Sequence, residues 1–272
     1  MNNLNPKVLW GSIVLILLSA LFLLAPLISP YKYYEQNLKN RLSPPSHKHI
    51  LGTDHLGRDI FSRILQGGRL SFLIATLGVL FSSVIGVLVG SISGFYGGTL
   101  DEILMRTSDL FLSIPTFVIS IAIISLTEGS LSSLVLILAL TNWPKYAKLA
   151  RALTMEIKSK DFIDLVSLTG ARSTYIITTH IIPNYIGPIL ALASFDFGKK
   201  VVWIANIGFL GIGIKPPLPE WGSMLKDSLP YILSFPHLAL SPTIMVVITL
   251  IASNTLGEGL AETLYKRREI RI

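Results

Sequence analysis

Asp196, Lys199 and Lys200 stand at i, i+3 and i+4 in a stretch otherwise suited to lipid. That spacing puts side chains on one side of a helix. Ionisable groups at membrane depth are costly and face a bundle interior or a watery cavity. Two readings stand together: Asp196 neutralises Lys199 or Lys200, or the three line a solute pathway. His47, His49 and His55 fall within nine residues and invite a metal-site reading. Pro44 and Pro45 mark an irregular loop there, and no carboxylate spacing completes a recognised site, so no metal is expected. Asp54, Arg58 and Asp59 lie in a glycine-punctuated block that predicts a turn and short helix on the outer face. Arg58 either pairs with a carboxylate there or meets a partner protein. The chain has no cysteine, which excludes disulfides, thiolate metal sites and cysteine nucleophiles. Neither a G-x-x-x-x-G-K-[ST] phosphate cradle nor an H-E-x-x-H helix occurs.

The elements that hold these residues are set by where charge is missing. Of 272 residues 51% are hydrophobic and 14% charged, with a mean hydropathy of +0.61, against roughly 25% charged in soluble domains. Uncharged runs cover 8–31, 70–100, 110–127, 129–144, 173–195, 201–214 and 228–257. A membrane-spanning helix needs about 20 mostly apolar residues, so these runs predict an all-α polytopic membrane protein with six spans. The first is Val8–Ile28, too long for a signal peptide and followed by a poor cleavage motif. The others are expected near Leu70–Gly94, Leu110–Leu126 with Pro115 near its start, Leu131–Ala150, Tyr185–Asn206 and Leu238–Leu256. Six spans put both ends on one side. The inner segments then hold 12 Lys and Arg against 9 outside, favouring both termini in the cytoplasm. The net charge of +7 reads as basic loops facing anionic lipid rather than as a nucleic-acid site.

Within the second span Gly78, Ser82, Gly86, Gly90, Gly94 and Gly98 recur every fourth residue. Small residues on one face let two helix backbones approach closely in lipid. Between spans four and five, residues 150–184 predict structure rather than a linker. Asp161 and Asp164 suit a helix start, and Phe162, Leu165, Val166 and Thr169 then share a face. Gly170 suits a left-handed helix end. A second helical stretch, Ala171–Ile182, is expected to stop at Pro183. An apolar helix held this way either docks in another protein's groove or lies on the bilayer.

Gly170, thirteen residues before Pro183, resembles the cytoplasmic signature of bacterial ABC-importer permeases, Glu-Ala-Ala-x3-Gly-x9-Ile-x-Leu-Pro. The triplet falls on Asp164-Leu165-Val166, its isoleucine on His180 and its leucine on Ile182, so the helix around Leu165 is more apolar than the pattern. Leu51-Gly52-Thr53-Asp54-His55-Leu56-Gly57-Arg58-Asp59-Ile60-Phe61-Ser62-Arg63 resembles a block of the dipeptide/oligopeptide/nickel branch, in its second or C-type subunit. Phe209-Leu210-Gly211-Ile212-Gly213 and Pro216-Pro217-x-Pro219-Glu220-Trp221-Gly222-x-Met224-Leu225 do likewise, and the resemblance spans about 51–264.

The resemblance implies the type I importer fold in the bacterial inner membrane. It also implies a second permease subunit, two ATPases that hold ATP and magnesium, and an extracytoplasmic binding protein. This chain itself would carry no cofactor and no enzymatic activity. Three segments are expected: 1–66 with the first span and an external segment, 67–264 as the permease core, and 265–272 as a basic tail. The Asp196-Phe197-Gly198-Lys199 pattern resembles the nickel and metal-chelate branch, so nickel is favoured over peptides. A channel or secondary transporter would carry internal repeats, and none is visible between the halves. An intramembrane enzyme would need a nucleophile–base pair that the sequence does not supply.

Overall fold

In lipid every backbone polar group must be satisfied within the chain, and the apolar runs fold as helices. The structure is a computed structural model and describes residues 5–127 and 129–269. In chain order the helices are α1 (Pro6–Leu23), α2 (Ala25–Ile28), α3 (Ile60–Tyr96), α4 (Gly98–Ser113), α5 (Thr116–Thr127), α6 (Leu131–Lys158), α7 (Asp161–Leu168), α8 (Ser173–Tyr175), α9 (Ile182–Phe209), α10 (Trp221–Ser228) and α11 (His237–Glu269). A π-helical stretch, Ile176–Ile181, joins α8 to α9.

Four segments are long and apolar enough to cross a membrane: Pro6–Leu23, Ile60–Tyr96, Ser173–Phe209 and His237–Tyr265. A fifth crossing is possible through α4 and α5 together, which bend by 81° at their junction. The expected third span at Leu110–Leu126 is therefore two helices, with the break at Ile114-Pro115. Proline lacks an N–H and pushes the residue before it into extended backbone, and Ile114 is extended there (φ −91°, ψ 124°). The expected fourth span falls on α6, which is longer than its apolar run and too polar to be among these segments, because its second half carries Lys145, Lys148 and Arg151.

The small-residue face of α3 is where the bundle closes. A Cβ added at Gly78 would lie 2.9 Å from the Leu138 side chain, and one at Gly94 would lie 2.7 Å from the Arg151 carbonyl oxygen. Gly86 meets Trp143 and Tyr146, and Gly90 meets Ala147 and Ala150. Ser82, fully buried in the same row, turns its hydroxyl back to the Gly78 carbonyl at 2.5 Å. The register advances in step on both helices, so α3 and α6 run parallel and α4–α5 is the return stroke. Gly98 does not belong to this seam. It lies beyond the end of α3 with φ +60° and nothing near its missing side chain.

Helix α9 runs antiparallel to α3, with Tyr185 bonded to Ser91 and Lys200 beside Gly78. Helix α11 runs antiparallel to α9, with Gly198 against Ser253 and Gly187 against Leu264. Helix α1 closes on α11 through Gly11, Gly259 and the Asn5 and Lys7 side chains. This order brings the start of α1, the end of α11 and the 159–175 segment to one end of the bundle. Residues 29–59 and 210–236 cover the other end, tied together by Arg41–Tyr231 (3.2 Å) and Arg58–Asp227 (3.6 Å).

The segment boundary expected at 66/67 falls inside α3, and the tail expected from 265 is helical to Glu269. Its last residues, 270–272, and the side chains of Lys266, Arg267 and Arg268 lie outside the described residues.

The seam generates a prediction. Gly86→Val should cost about 1–3 kcal/mol through overpacking against α6, read as a lower thermal midpoint of the detergent-purified chain. Leu80→Ala, on the half-exposed face of the same helix, should shift the midpoint much less.

Candidate functional site

Helix α7 is eight residues long and is fixed to the bundle from one side. Ile163 is 2% exposed and joins a core of Tyr146, Ala150, Ile157, Ile176, Ile177, Ile181, Tyr185 and Ile189. Val166, one turn on, packs half-buried against that core. The opposite face presents Phe162, Leu165 and Leu168, which are 38%, 64% and 83% exposed. This corrects the expected stripe in one respect: Val166 anchors the helix rather than extending the outward face, and Leu168 takes its place. The expected carboxylate cap is also corrected. Lys160 is the N-cap and no side chain caps the helix, while Asp161 and Asp164 lie in the first turn, where negative charge suits the dipole.

Gly170 reverses the chain after α7 in the left-handed region, φ +78°, with nothing within 4 Å of a Cβ built there. It is therefore held by backbone conformation and not by crowding. The following helical stretch does not stop at Pro183. Proline is tolerated in the first turn of a helix, and here it falls there, in α9, after the π-helical stretch. The Asn184 side chain donates to the His180 carbonyl at 2.6 Å. The His180 ring is half-buried with its edge toward Tyr175.

In the bundle interior, Asp196 and Lys200 are each 2% exposed and form an ion pair across one turn of α9. The second carboxylate oxygen pairs with Lys145 of α6, and the Tyr146 hydroxyl donates to Asp196 Oδ2 at 2.9 Å. Lys199 is not part of this group; it is exposed. Lys145 and Tyr146 were not singled out from the sequence because Asp196 lies some fifty residues away. The available signal was the basic series Lys145, Lys148 and Arg151 on a helix that must be packed. Each finds an acid on another helix: Asp196, Asp109 (2.5 Å) and Asp101 (2.5 Å).

At the far end, Asp54, Arg58 and Asp59 form a structural knot. Arg58 Nε donates to Asp54 Oδ2 at 2.6 Å, and Arg63 approaches the same oxygen at 3.5 Å. Asp59 caps α3, accepting from the Ser62 backbone N–H and hydroxyl at 2.8 Å each. The three histidines do not converge. His49 pairs with Asp59 at 2.9 Å and stacks on Tyr31, His55 stacks on Tyr231, and His47 is exposed. Among the described residues no group of three or more His, Asp or Glu is placed to hold a metal.

Glu220 is a further buried acid, 1% exposed, at the N-cap of α10. Its carboxylate accepts from the backbone N–H of Gly222 (2.8 Å) and Ser223 (3.0 Å). Beside it Trp221 is fully buried and donates to the Ile64 carbonyl at 3.1 Å, holding the 210–236 segment onto α3. Burial pushes the Glu220 carboxyl up to about 7, with the two backbone donors opposing part of that rise.

An all-α bundle with a short apolar helix at one end of its long helices is the architecture of a type I ABC-importer permease. Residues 86–270 match the family described as binding-protein-dependent transport system inner membrane component, and residues 5–45 match the N-terminal TM domain of oligopeptide transport permease C. The chain belongs to this family of multi-pass inner-membrane proteins, in its C-type branch. It is 35% identical to the dipeptide transport permease DppC of Alkalihalophilus pseudofirmus, over 96% of this chain and 86% of that one. It is 35% identical to DppC of Haemophilus influenzae (96% and 90%) and 33% identical to the oligopeptide permease OppC of Bacillus subtilis (96% and 85%). Among solved structures, a chain of the methionine ABC transporter MetNI in inward-facing form shares the fold. Its TM-score is 0.62 at 18% identity, over 75% of this chain and 97% of that one.

Glu220 makes the 210–236 segment pH-sensitive. Its folded value lies above the ordinary 4.5, so the native state holds its proton more tightly than the unfolded state does. The stability this contributes is complete below pH 4.5 and is lost as pH rises through about 7. The thermal midpoint of the purified chain should fall between pH 5.5 and pH 8. Glu220→Gln should flatten that slope even where it lowers the midpoint itself.

Proposed function

We propose that this chain is the C-type permease subunit of a peptide importer, moved by partner ATPases that grip α7. The observation that carries the mechanism is the outward row Phe162, Leu165 and Leu168 on a helix anchored from behind by Ile163. Burying such side chains in a partner's groove is worth roughly 1.5–3 kcal/mol each. The anchor means that a pull on the helix is passed to α6 and α9, which share the same core. The end that carries α7, the start of α1 and the end of α11 is the cytoplasmic end in this reading, with 1–66 supplying the first helix and external segment and 67–264 the permease core. A second, similar permease completes the pathway, and an external binding protein delivers the solute to the 29–59 and 210–236 face.

The substrate reading changes from the sequence expectation. Nickel was favoured on the Asp196-Phe197-Gly198-Lys199 pattern, but the relatives carry the names of dipeptide, oligopeptide, di/tripeptide and glutathione permeases. The Asp196 carboxylate is also spent on two ammonium groups and a phenol, which leaves a poor ligand for a metal cation. Di- or oligopeptides are the substrate class we assign.

Cells lacking this chain should lose uptake of a labelled dipeptide and keep uptake of labelled nickel. The reverse pattern would return the nickel reading. For the coupling helix, Leu165→Glu should leave the subunit inserted, since the side chain is already 64% exposed, yet abolish dipeptide uptake. Gly170→Val should act likewise by straining the left-handed turn, at about 1–2 kcal/mol. Normal uptake with both substitutions would remove α7 from the mechanism.

A further inference from the structure

The buried ion group in the bundle does not balance. Two lysines share one aspartate, and the surplus positive charge reaches the surface through Lys145, whose side chain is 32% exposed while those of Asp196 and Lys200 are 2% exposed. An ammonium has three donors. Lys145 gives one to Asp196 and one to Asn142 Oδ1 at 2.9 Å, and the third meets no acceptor among the described residues. Lys199 is a second cation on α9. It follows Asp196 by three positions on α9, is exposed, and forms no ion pair among the described residues. Exposed ammonium groups within a span cannot face lipid at low cost. The side from which Lys145 is reached therefore borders water or protein, and the chemistry it accepts is an anion.

We propose that the surplus ammonium at Lys145, backed by the buried Asp196–Lys200 pair, is a transit site for the carboxylate of the imported solute. The proposal rests on the peptide-import reading, because every unblocked peptide brings one C-terminal carboxylate through the membrane. A single free N–H donor is suited to passage rather than retention. Asp196 holds back the full charge of two lysines, which would trap an anion in a low-dielectric site. Tyr146 fixes the carboxylate so that the shared oxygen does not turn away.

Charge counting gives the test. Lys145→Gln leaves Asp196 and Lys200 as a balanced pair, and Lys200→Met leaves Asp196 and Lys145 as a balanced pair. Both are expected to fold, and both remove the surplus. The double variant Lys200→Met/Asp196→Asn keeps Lys145 and its charge. The complete transporter with its binding protein is reconstituted in vesicles with a labelled dipeptide. The maximal uptake rate should fall about tenfold in each single variant, the size of one lost charge-assisted contact, and return toward wild type in the double variant. The concentration for half-maximal uptake, set by the binding protein, should not move. The second permease should copurify equally with all variants.

Unchanged uptake in Lys145→Gln, with a working wild type, overturns this proposal and leaves peptide import standing. A double variant worse than both singles overturns it also, making the group a structural ion pair. Loss of the second permease from Lys145→Gln would show that the anion comes from the partner subunit instead. A wild type that takes up no peptide overturns the import reading itself and this proposal with it.

Discussion

The structure depends on holding a cationic helix inside a lipid-embedded bundle. Helix α6 carries Lys145, Lys148 and Arg151 along its second half, and each is met by an acid from another helix: Asp196 on α9, Asp109 and Asp101 on α4. The buried Asp196 is not tolerable alone at low dielectric, whereas the Lys148–Asp109 pair is exposed and orients more than it stabilises. The pairs are possible only because α3 covers the other side of α6 without side chains in between, through Gly78, Gly86, Gly90 and Gly94. A close seam and a set of cross-helix charges thus fix α3, α4, α6 and α9 relative to one another.

That frame is what makes a small helix outside the bundle core mechanically useful. α7 is tied to the core by Ile163 and Val166, and the same core contains Tyr146 and Ala150 of α6 and Tyr185 and Ile189 of α9. Tyr146 in turn touches Asp196. A displacement of α7 is therefore delivered close to the buried ion group, with packed side chains all the way. The opposite end is built for a different task. There Arg58, Asp54, Asp227 and the Glu220 cap lock two loops into one surface, which suits a platform that receives a partner.

Much of this was legible in the sequence because it follows from local pattern. Charge-free runs gave the bundle, the four-residue glycine period gave the seam, and a glycine after an apolar helix gave the turn at Gly170. What was illegible depends on contacts across the fold. Nothing near Asp196 in sequence announces Lys145, and helical spacing offers Lys199 and Lys200 alike as partners, whereas only Lys200 pairs with Asp196. Helical period alone placed Val166 outward, because only the core beneath α7 decides which of two adjacent apolar rows is anchored. Proline misled twice in opposite directions. Pro115 breaks a span that was read as continuous, and Pro183 begins a helix that was read as ending there. In both cases the reason is position: proline is disruptive inside a helix and harmless in its first turn.

The chain contains no cysteine, so a single introduced thiol reports on one place without further changes. The central claim is that a separate motor grips the exposed face of α7 from the cytoplasm. Leu168→Cys, at the most exposed position of that row, should crosslink to an ATPase subunit in the assembled complex. In sealed cells it should stay unlabelled by a membrane-impermeant thiol reagent until the membrane is opened. Labelling of intact cells at this position, or a crosslink pattern that never includes the ATPase, would contradict the account.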